Sequence, residues 1–64
     1  MNLEIMRSMC DEMLLALLGN VELQEKWWAS QNKYFNNRTP NEVWLDKPTS
    51  VFGYLNSMCS GDYS

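Results

Sequence analysis

Two cysteines and one pair of adjacent carboxylates are the side chains of this sequence whose types could support chemistry. A catalytic cysteine needs a neighbouring base or positive charge to form its thiolate, and a structural zinc ion needs four suitable ligands. The chain has no histidine, and Cys10 and Cys59 lie near its opposite ends. Asp11 and Glu12 are adjacent, so on a helix they point in different directions. We therefore expect no enzymatic activity, no metal site and no cofactor.

The charged residues argue against a nucleic-acid partner. The formal net charge is −3, and the five basic residues are scattered along the chain. Neutralising several phosphates requires a clustered basic face, so we expect no direct binding to nucleic acid. An acidic balance favours solubility, or electrostatic steering toward a basic protein partner.

The apolar runs and the cysteines predict where in the cell the protein is located. The longest run, Met13 to Leu18, directly follows two acidic residues. It is too short for a membrane span, which needs about 20 apolar residues, and it lacks the positive start of a signal peptide. We expect a cytoplasmic protein with no membrane contact. Cys10 and Cys59 are then expected to be reduced, small apolar core residues, and one disulfide between the terminal helices is the alternative.

The spacing of apolar residues predicts an all-α fold, with residues 1–64 as one domain of four helices. Apolar residues recur every three or four positions in a long first helix. Gly19 can end this helix in the left-handed conformation, and Asn20 can cap the next one. Thr39, Pro40 and Glu42 have the spacing of a capping box that starts a short third helix. The expected helices span residues 3–18, 21–30 and 40–45 or 40–46, followed by a last helix after residue 48 that ends near 60–61.

A second apolar stripe on the first helix predicts self-association. Met1, Ile5 and Met9 lie beside the positions that are expected to face the core. Methionine side chains are flexible and suit adaptable interfaces. We therefore expect a homodimer and assign these three residues to its interface.

The three tryptophans of the chain all lie between residues 27 and 44. Trp27 and Trp28 are adjacent, and two neighbouring residues on a helix cannot both face the same core. One of them is therefore expected to be partly exposed or buried at an interface, where tryptophan often contributes strongly to binding. The sequence does not decide which, and we select Trp28. Tyr34, Arg38 and Trp44 are the other candidate partner contacts of this segment.

An ordered set of motifs accompanies these tryptophans along the chain. Its members are Trp27 or Trp28, Asn32, Phe35, the turn at 36–38, Thr39-Pro40-Asn41-Glu42, Val43, Pro48, an apolar helix from Val51 to Leu55, and Gly61. This order resembles the toxin-binding domain of the Xre/MbcA/ParS antitoxins over residues 20–62. The resemblance implies pairing with a toxin enzyme that consumes NAD or transfers a group from it.

The resemblance also implies candidate contacts at the C-terminal end. The C-terminal part of such an antitoxin approaches the active site of the toxin, which makes Asp62 and Tyr63 candidate contacts. Family members usually carry a DNA-binding helix-turn-helix ahead of this domain. Here residues 1–19 precede the matching region and contain no basic recognition face. Autorepression through DNA is therefore not expected.

The leading functional hypothesis is a non-enzymatic, antitoxin-like inhibitor that neutralises a partner enzyme by occlusion. One alternative is a phage-encoded small acidic inhibitor of a host enzyme or defence complex. The other is a structural module that forms homo-oligomers through its first helix.

Overall fold

The structure, a computed structural model, describes residues 2–60. This part of the chain forms four α-helices and contains no β-strand, which confirms the predicted all-α fold with a long first helix and a short third one. The helices are α1 (Leu3–Leu18), α2 (Val21–Ala29), α3 (Pro40–Asp46) and α4 (Pro48–Ser60). None of the helices in residues 2–60 combines the length and the apolar character that crossing a membrane requires.

The ends of the first two helices follow from local side-chain and backbone preferences. Gly19 ends α1 with a φ of 90°, a left-handed conformation that costs glycine little. The Oδ1 atom of Asn20 then accepts a hydrogen bond of 2.8 Å from the amide of Leu23, so that Asn20 caps α2 as predicted. Ser30, expected to be the last residue of α2, is its C-cap, and the helix ends one residue earlier.

A short 3-10 helix, Lys33–Phe35, lies in the connection between α2 and α3 and was not predicted from the sequence. The side chain of Asn32 begins it by accepting a hydrogen bond of 2.8 Å from the amide of Tyr34. Asn36 and Asn37 follow with φ angles of 58° and 66°. Asparagine enters this left-handed region more easily than most residues, as expected for this turn.

The predicted capping box at the start of α3 is confirmed. The amide of Glu42 donates to Oγ1 of Thr39 over 3.2 Å, and the Glu42 carboxylate accepts from the Thr39 amide over 2.9 Å. Two amides that the helix leaves unpaired are satisfied in this way. The box fixes where α3 begins and therefore fixes the direction of the preceding turn.

Side chains from all four helices and from the 3-10 helix meet in one core within the described residues. The members of this core are Cys10, Leu14, Trp28, Phe35, Val43, Val51 and Leu55. Phe35 anchors the connection between α2 and α3 in this core. Leu3, Leu17 and Leu23 fit the three- and four-residue apolar spacing of their helices but are exposed. Leu3 and Leu17 lie near the two ends of α1, whereas the buried residues of α1 occupy its middle.

The two cysteines have different environments, so the expectation that both belong to the core is half right. Cys10 is buried, and Cys59 is exposed in the last turn of α4. Both are free, which excludes the alternative of a disulfide between them. Burial raises the pKa of the Cys10 thiol to about 11, with Asp11 adding to the rise and Arg7 opposing it. Cys10 therefore stays protonated at neutral pH and is a core residue rather than a nucleophile.

Candidate interaction surface

Trp28 is a core residue, and its burial removes it from the candidate partner contacts. Its side chain is only 4% exposed. The indole Nε1 atom donates a hydrogen bond of 2.8 Å to Asp11 of α1, and the Arg7 guanidinium lies 3.5 Å from the ring centroid. The ring also meets the edge of Trp44 of α3 at a centroid distance of 5.7 Å. Trp28 thus connects α2 to two other helices.

Trp27 is the half-buried member of the adjacent pair, and it belongs to a cluster of aromatic rings. Trp27 stacks on Tyr54 with an interplanar angle of 10° and a centroid distance of 6.3 Å. Tyr54 also contacts Tyr34 at 4.3 Å and Phe35 at 5.5 Å. The cluster therefore joins α2, the 3-10 helix and α4, and Tyr54 lies at its centre.

Tyr54 is a site residue that the sequence reasoning missed. It lies three positions after the buried Val51 and directly before the buried Leu55, so it borders the apolar face of α4. That spacing could have placed it on the packed side of the helix. Its contact with Tyr34 depends on how α4 approaches the 3-10 helix, which spacing alone does not give.

A groove runs between the 3-10 helix and α4, and we call it the aromatic groove. Its volume is about 400 Å³, and its lining includes Tyr34, Phe35, Arg38, Gly53 and Tyr54. Tyr34 is 62% exposed at this groove although its ring is held against Tyr54. Two of the predicted partner contacts, Tyr34 and Arg38, are thus brought together on one concave surface.

Arg38 is only weakly engaged within the chain. Its Nη1 atom lies 3.5 Å from the Asp46 carboxylate, and both side chains are about half exposed. Its Nη2 atom donates to the carbonyl of Glu42 over 3.5 Å. Exposed ion pairs of this kind contribute about 0–1 kcal/mol. The guanidinium can therefore turn to an anionic group of a partner at little cost.

The charges of the chain are distributed unevenly along its sequence. Residues 31–60 carry the basic side chains Lys33, Arg38 and Lys47 and the acidic side chains Glu42 and Asp46. Residues 2–30 carry five acidic and two basic side chains. Residues 31–60 are thus slightly positive, Asp62 makes residues 31–64 neutral, and Arg38 is the charged residue that lines the aromatic groove.

The remaining predicted contacts lie elsewhere. Trp44 is half-buried and lines a different depression with Leu3 and Arg7, so it does not share the aromatic groove with Tyr34 and Arg38. Asp62 and Tyr63 lie outside the described residues.

The expected self-association surface is partly described. Ile5 is 57% exposed and Met9 39% exposed, as a second apolar stripe on α1 requires. Met9 also lines a groove of about 300 Å³ between α1 and α4, together with Met13, Phe52 and Cys59. Met1, the third residue assigned to this stripe, lies outside the described residues.

In residues 2–60, no three side chains of His, Cys, Asp or Glu come close enough together to hold a metal ion.

Comparison of the chain with protein-family models, with curated proteins and with solved structures gives no match. The likeness to the antitoxin domain accordingly depends on the motif order between residues 20 and 62.

Proposed function

We propose that this protein is a non-enzymatic, protein-binding inhibitor, an antitoxin-like domain that neutralises a partner enzyme in the cytoplasm by covering its active site. The observation that carries the proposal is the aromatic groove, which is lined by both an exposed tyrosine and a weakly engaged arginine. Tyrosine and arginine are enriched among the residues that dominate binding energy at protein interfaces.

The groove is suited to binding because its exposed ring is already fixed in place. The Tyr34 amide donates to Asn32, and the Tyr34 ring lies against Tyr54. The next residue, Phe35, is buried in the core and anchors the same turn. Less conformational entropy is lost on binding when a contact residue is held in advance. A protein of 64 residues can therefore gain affinity from few contacts.

The resemblance to the toxin-binding domain supports the class of partner. The motif residues Asn32, Phe35, Thr39 and Glu42 build the turn and the helix start on either side of Tyr34 and Arg38. A partner enzyme that consumes NAD or transfers a group from it follows from this resemblance. A phage-encoded inhibitor of a host enzyme or defence complex would use the same surface and differ only in its target.

Tyr34→Ala is expected to weaken inhibition of the partner at least tenfold, because truncating a binding hot spot costs about 2 kcal/mol or more. The tagged full-length chain is used to capture its partner, which is identified by mass spectrometry. The activity of the purified partner enzyme is then titrated with wild type and variant. Wild type should abolish the activity at a molar ratio near one.

Leu45→Ala is the matched control for this experiment. Leu45 is 87% exposed and does not line the aromatic groove. Its truncation should leave both inhibition and helical content unchanged. A captured enzyme that keeps full activity in excess inhibitor, or a Tyr34→Ala variant as potent as wild type, would refute the proposal.

Self-association through α1 is a second candidate property, favoured by the exposure of Ile5 and Met9. We expect sedimentation velocity at high micromolar concentration to give a dimer. Ile5→Lys should convert it to a monomer, because a charge would be buried without a partner. Leu45→Lys adds the same charge outside the stripe and should leave the dimer intact. A wild-type monomer under these conditions would exclude this candidate.

A further inference from the structure

Gly53 occupies a position in α4 for which nothing within the described chain requires glycine. It lies near the middle of the helix Pro48–Ser60, where glycine is the least favourable residue apart from proline. Its φ angle is not in the left-handed region, and a Cβ atom added to it would meet no atom within 4 Å. Neither the backbone conformation nor internal packing explains this residue.

The location of Gly53 suggests what it does. It is exposed and lines the aromatic groove beside Tyr54. A residue without a side chain lets another main chain approach the helix closely. At this point the wall of the groove is backbone only, and the tyrosine rings lie next to it.

The chemistry of the groove indicates the kind of segment that fits. The Tyr34 and Tyr54 rings, 4.3 Å apart, offer an aromatic surface for an apolar or aromatic side chain. Arg38 offers a guanidinium that can pair with a carboxylate in bidentate geometry. The hydroxyl groups of Thr49 and Ser50 line the same groove and can donate hydrogen bonds.

The distribution of charge favours an acidic occupant over a basic one. Arg38 is the charged residue in the lining of the groove, and its ion pair with Asp46 is exposed and weak, so the guanidinium can pair with an incoming carboxylate. A nucleic acid could also stack on tyrosines, but the net charge of −3 disfavours a polyphosphate.

We propose that the aromatic groove binds an acidic segment of the partner protein, with its main chain passing over Gly53. A carboxylate of the segment pairs with Arg38, and an adjacent aromatic side chain packs on Tyr34 and Tyr54. This inference rests on the proposed inhibitory function and specifies the chemistry of its partner.

The test uses two short peptides as probes and the full-length ¹⁵N-labelled chain. One peptide has a central tryptophan flanked by glutamates, and the other has lysines in place of the glutamates. We expect the acidic peptide to shift the amide signals of Tyr34, Arg38, Gly53 and Tyr54 in a saturable titration. The lysine peptide should bind about tenfold more weakly, as expected for loss of one charge-assisted hydrogen bond.

Substitutions at Gly53 separate stability from binding. Gly53→Ala should raise the melting temperature by roughly 2–8 °C, because alanine favours the helix. The same substitution should weaken binding of the acidic peptide. Gly53→Gln should weaken binding of the acidic peptide at least tenfold, because the glutamine side chain would fill the groove. Ser57→Gln, which lies on the same helix outside the groove lining, is the matched control and should bind as wild type does.

Several results would overturn this inference. One is that the acidic peptide at millimolar concentration does not shift the amide signals of the groove residues. Another is that the lysine peptide binds as tightly as the acidic one. A third is that Gly53→Gln binds the acidic peptide as tightly as wild type does. Stronger groove shifts with a thymidine oligonucleotide than with the peptide would also overturn it, in favour of a nucleic-acid ligand. If Tyr34→Ala abolishes enzyme inhibition while Gly53→Gln does not, the inhibitory function stands and this inference fails. If the acidic peptide binds but the captured enzyme is not inhibited, the function fails instead.

Discussion

Trp28→Ala is expected to unfold most of the chain, with loss of the helical circular-dichroism signal well below the melting temperature of the wild type. Truncating a buried tryptophan or phenylalanine costs about 3–5 kcal/mol. A chain of this length is stabilised by only about 3–10 kcal/mol in total, at 0.05–0.15 kcal/mol per residue. Trp28 is 4% exposed and joins α2 to both α1 and α3, so little can compensate for its loss.

The polar part of this effect can be measured separately. Trp28→Phe keeps a ring beneath the Arg7 guanidinium but removes the N–H group that donates to Asp11 over 2.8 Å. Hydrogen bonds to charged groups contribute about 1.5–3 kcal/mol, so this variant should lose less stability than Trp28→Ala. A Trp28→Ala protein whose melting temperature lies within two or three degrees of wild type would contradict the assignment of Trp28 to the core. A Trp28→Phe protein that melts at a lower temperature than Trp28→Ala would contradict it as well.

The expected unfolding changes how binding experiments on this protein should be read. If Trp28→Ala failed to capture a partner, the result would report a lost fold rather than a lost contact. Tyr34 is the better position for a binding test because its side chain is exposed and its neighbour Phe35 supplies the anchor to the core. The sequence does not distinguish Tyr34 from Trp28 as a binding residue, because the difference in their exposure arises from the packing of the helices.

The ends of the helices could be predicted from the sequence because capping is a local interaction. The caps at Gly19, Asn20 and Thr39 involve groups no more than four residues apart, and each preference depends on the residue type itself. The sequence also correctly indicated that one of Trp27 and Trp28 would be partly exposed, although Trp27 still packs against the edge of the core. Local geometry therefore accounts for the number of helices and for most of their boundaries.

The candidate site was less predictable because it is formed by residues from separate elements. Whether Trp27 or Trp28 is buried depends on where Arg7 and Asp11 of α1 meet α2, and periodicity does not encode that encounter. Likewise, Tyr34 and Tyr54 are twenty residues apart in the chain and meet only when α4 packs beside the 3-10 helix. The apolar periodicity of one helix can indicate which of its residues are packed, but it does not indicate which residue of another element they contact.

Leu14→Ala is expected to lower the melting temperature by roughly 10 °C or more, whereas Leu15→Ala should change it by only two or three degrees. The two residues are adjacent in α1, but Leu14 is 1% exposed within the core and Leu15 is 42% exposed. Removing a buried leucine side chain costs about 2–5 kcal/mol, whereas surface substitutions usually cost no more than about 0.5 kcal/mol. In a domain of this size each kcal/mol corresponds to about 4–8 °C.

Because both variants replace leucine by alanine in the same helix, helix propensity cancels and the difference measures burial alone. Thermal unfolding followed at 222 nm, at matched protein concentration, gives the comparison directly. If the two midpoints fell by the same amount, α1 would not pack through the face that carries Met6, Cys10 and Leu14. Rotating α1 about its axis would also move Ile5 and Met9, so the same result would remove the proposed self-association stripe. The stability of one leucine pair thus tests the orientation on which the surface assignments of α1 depend.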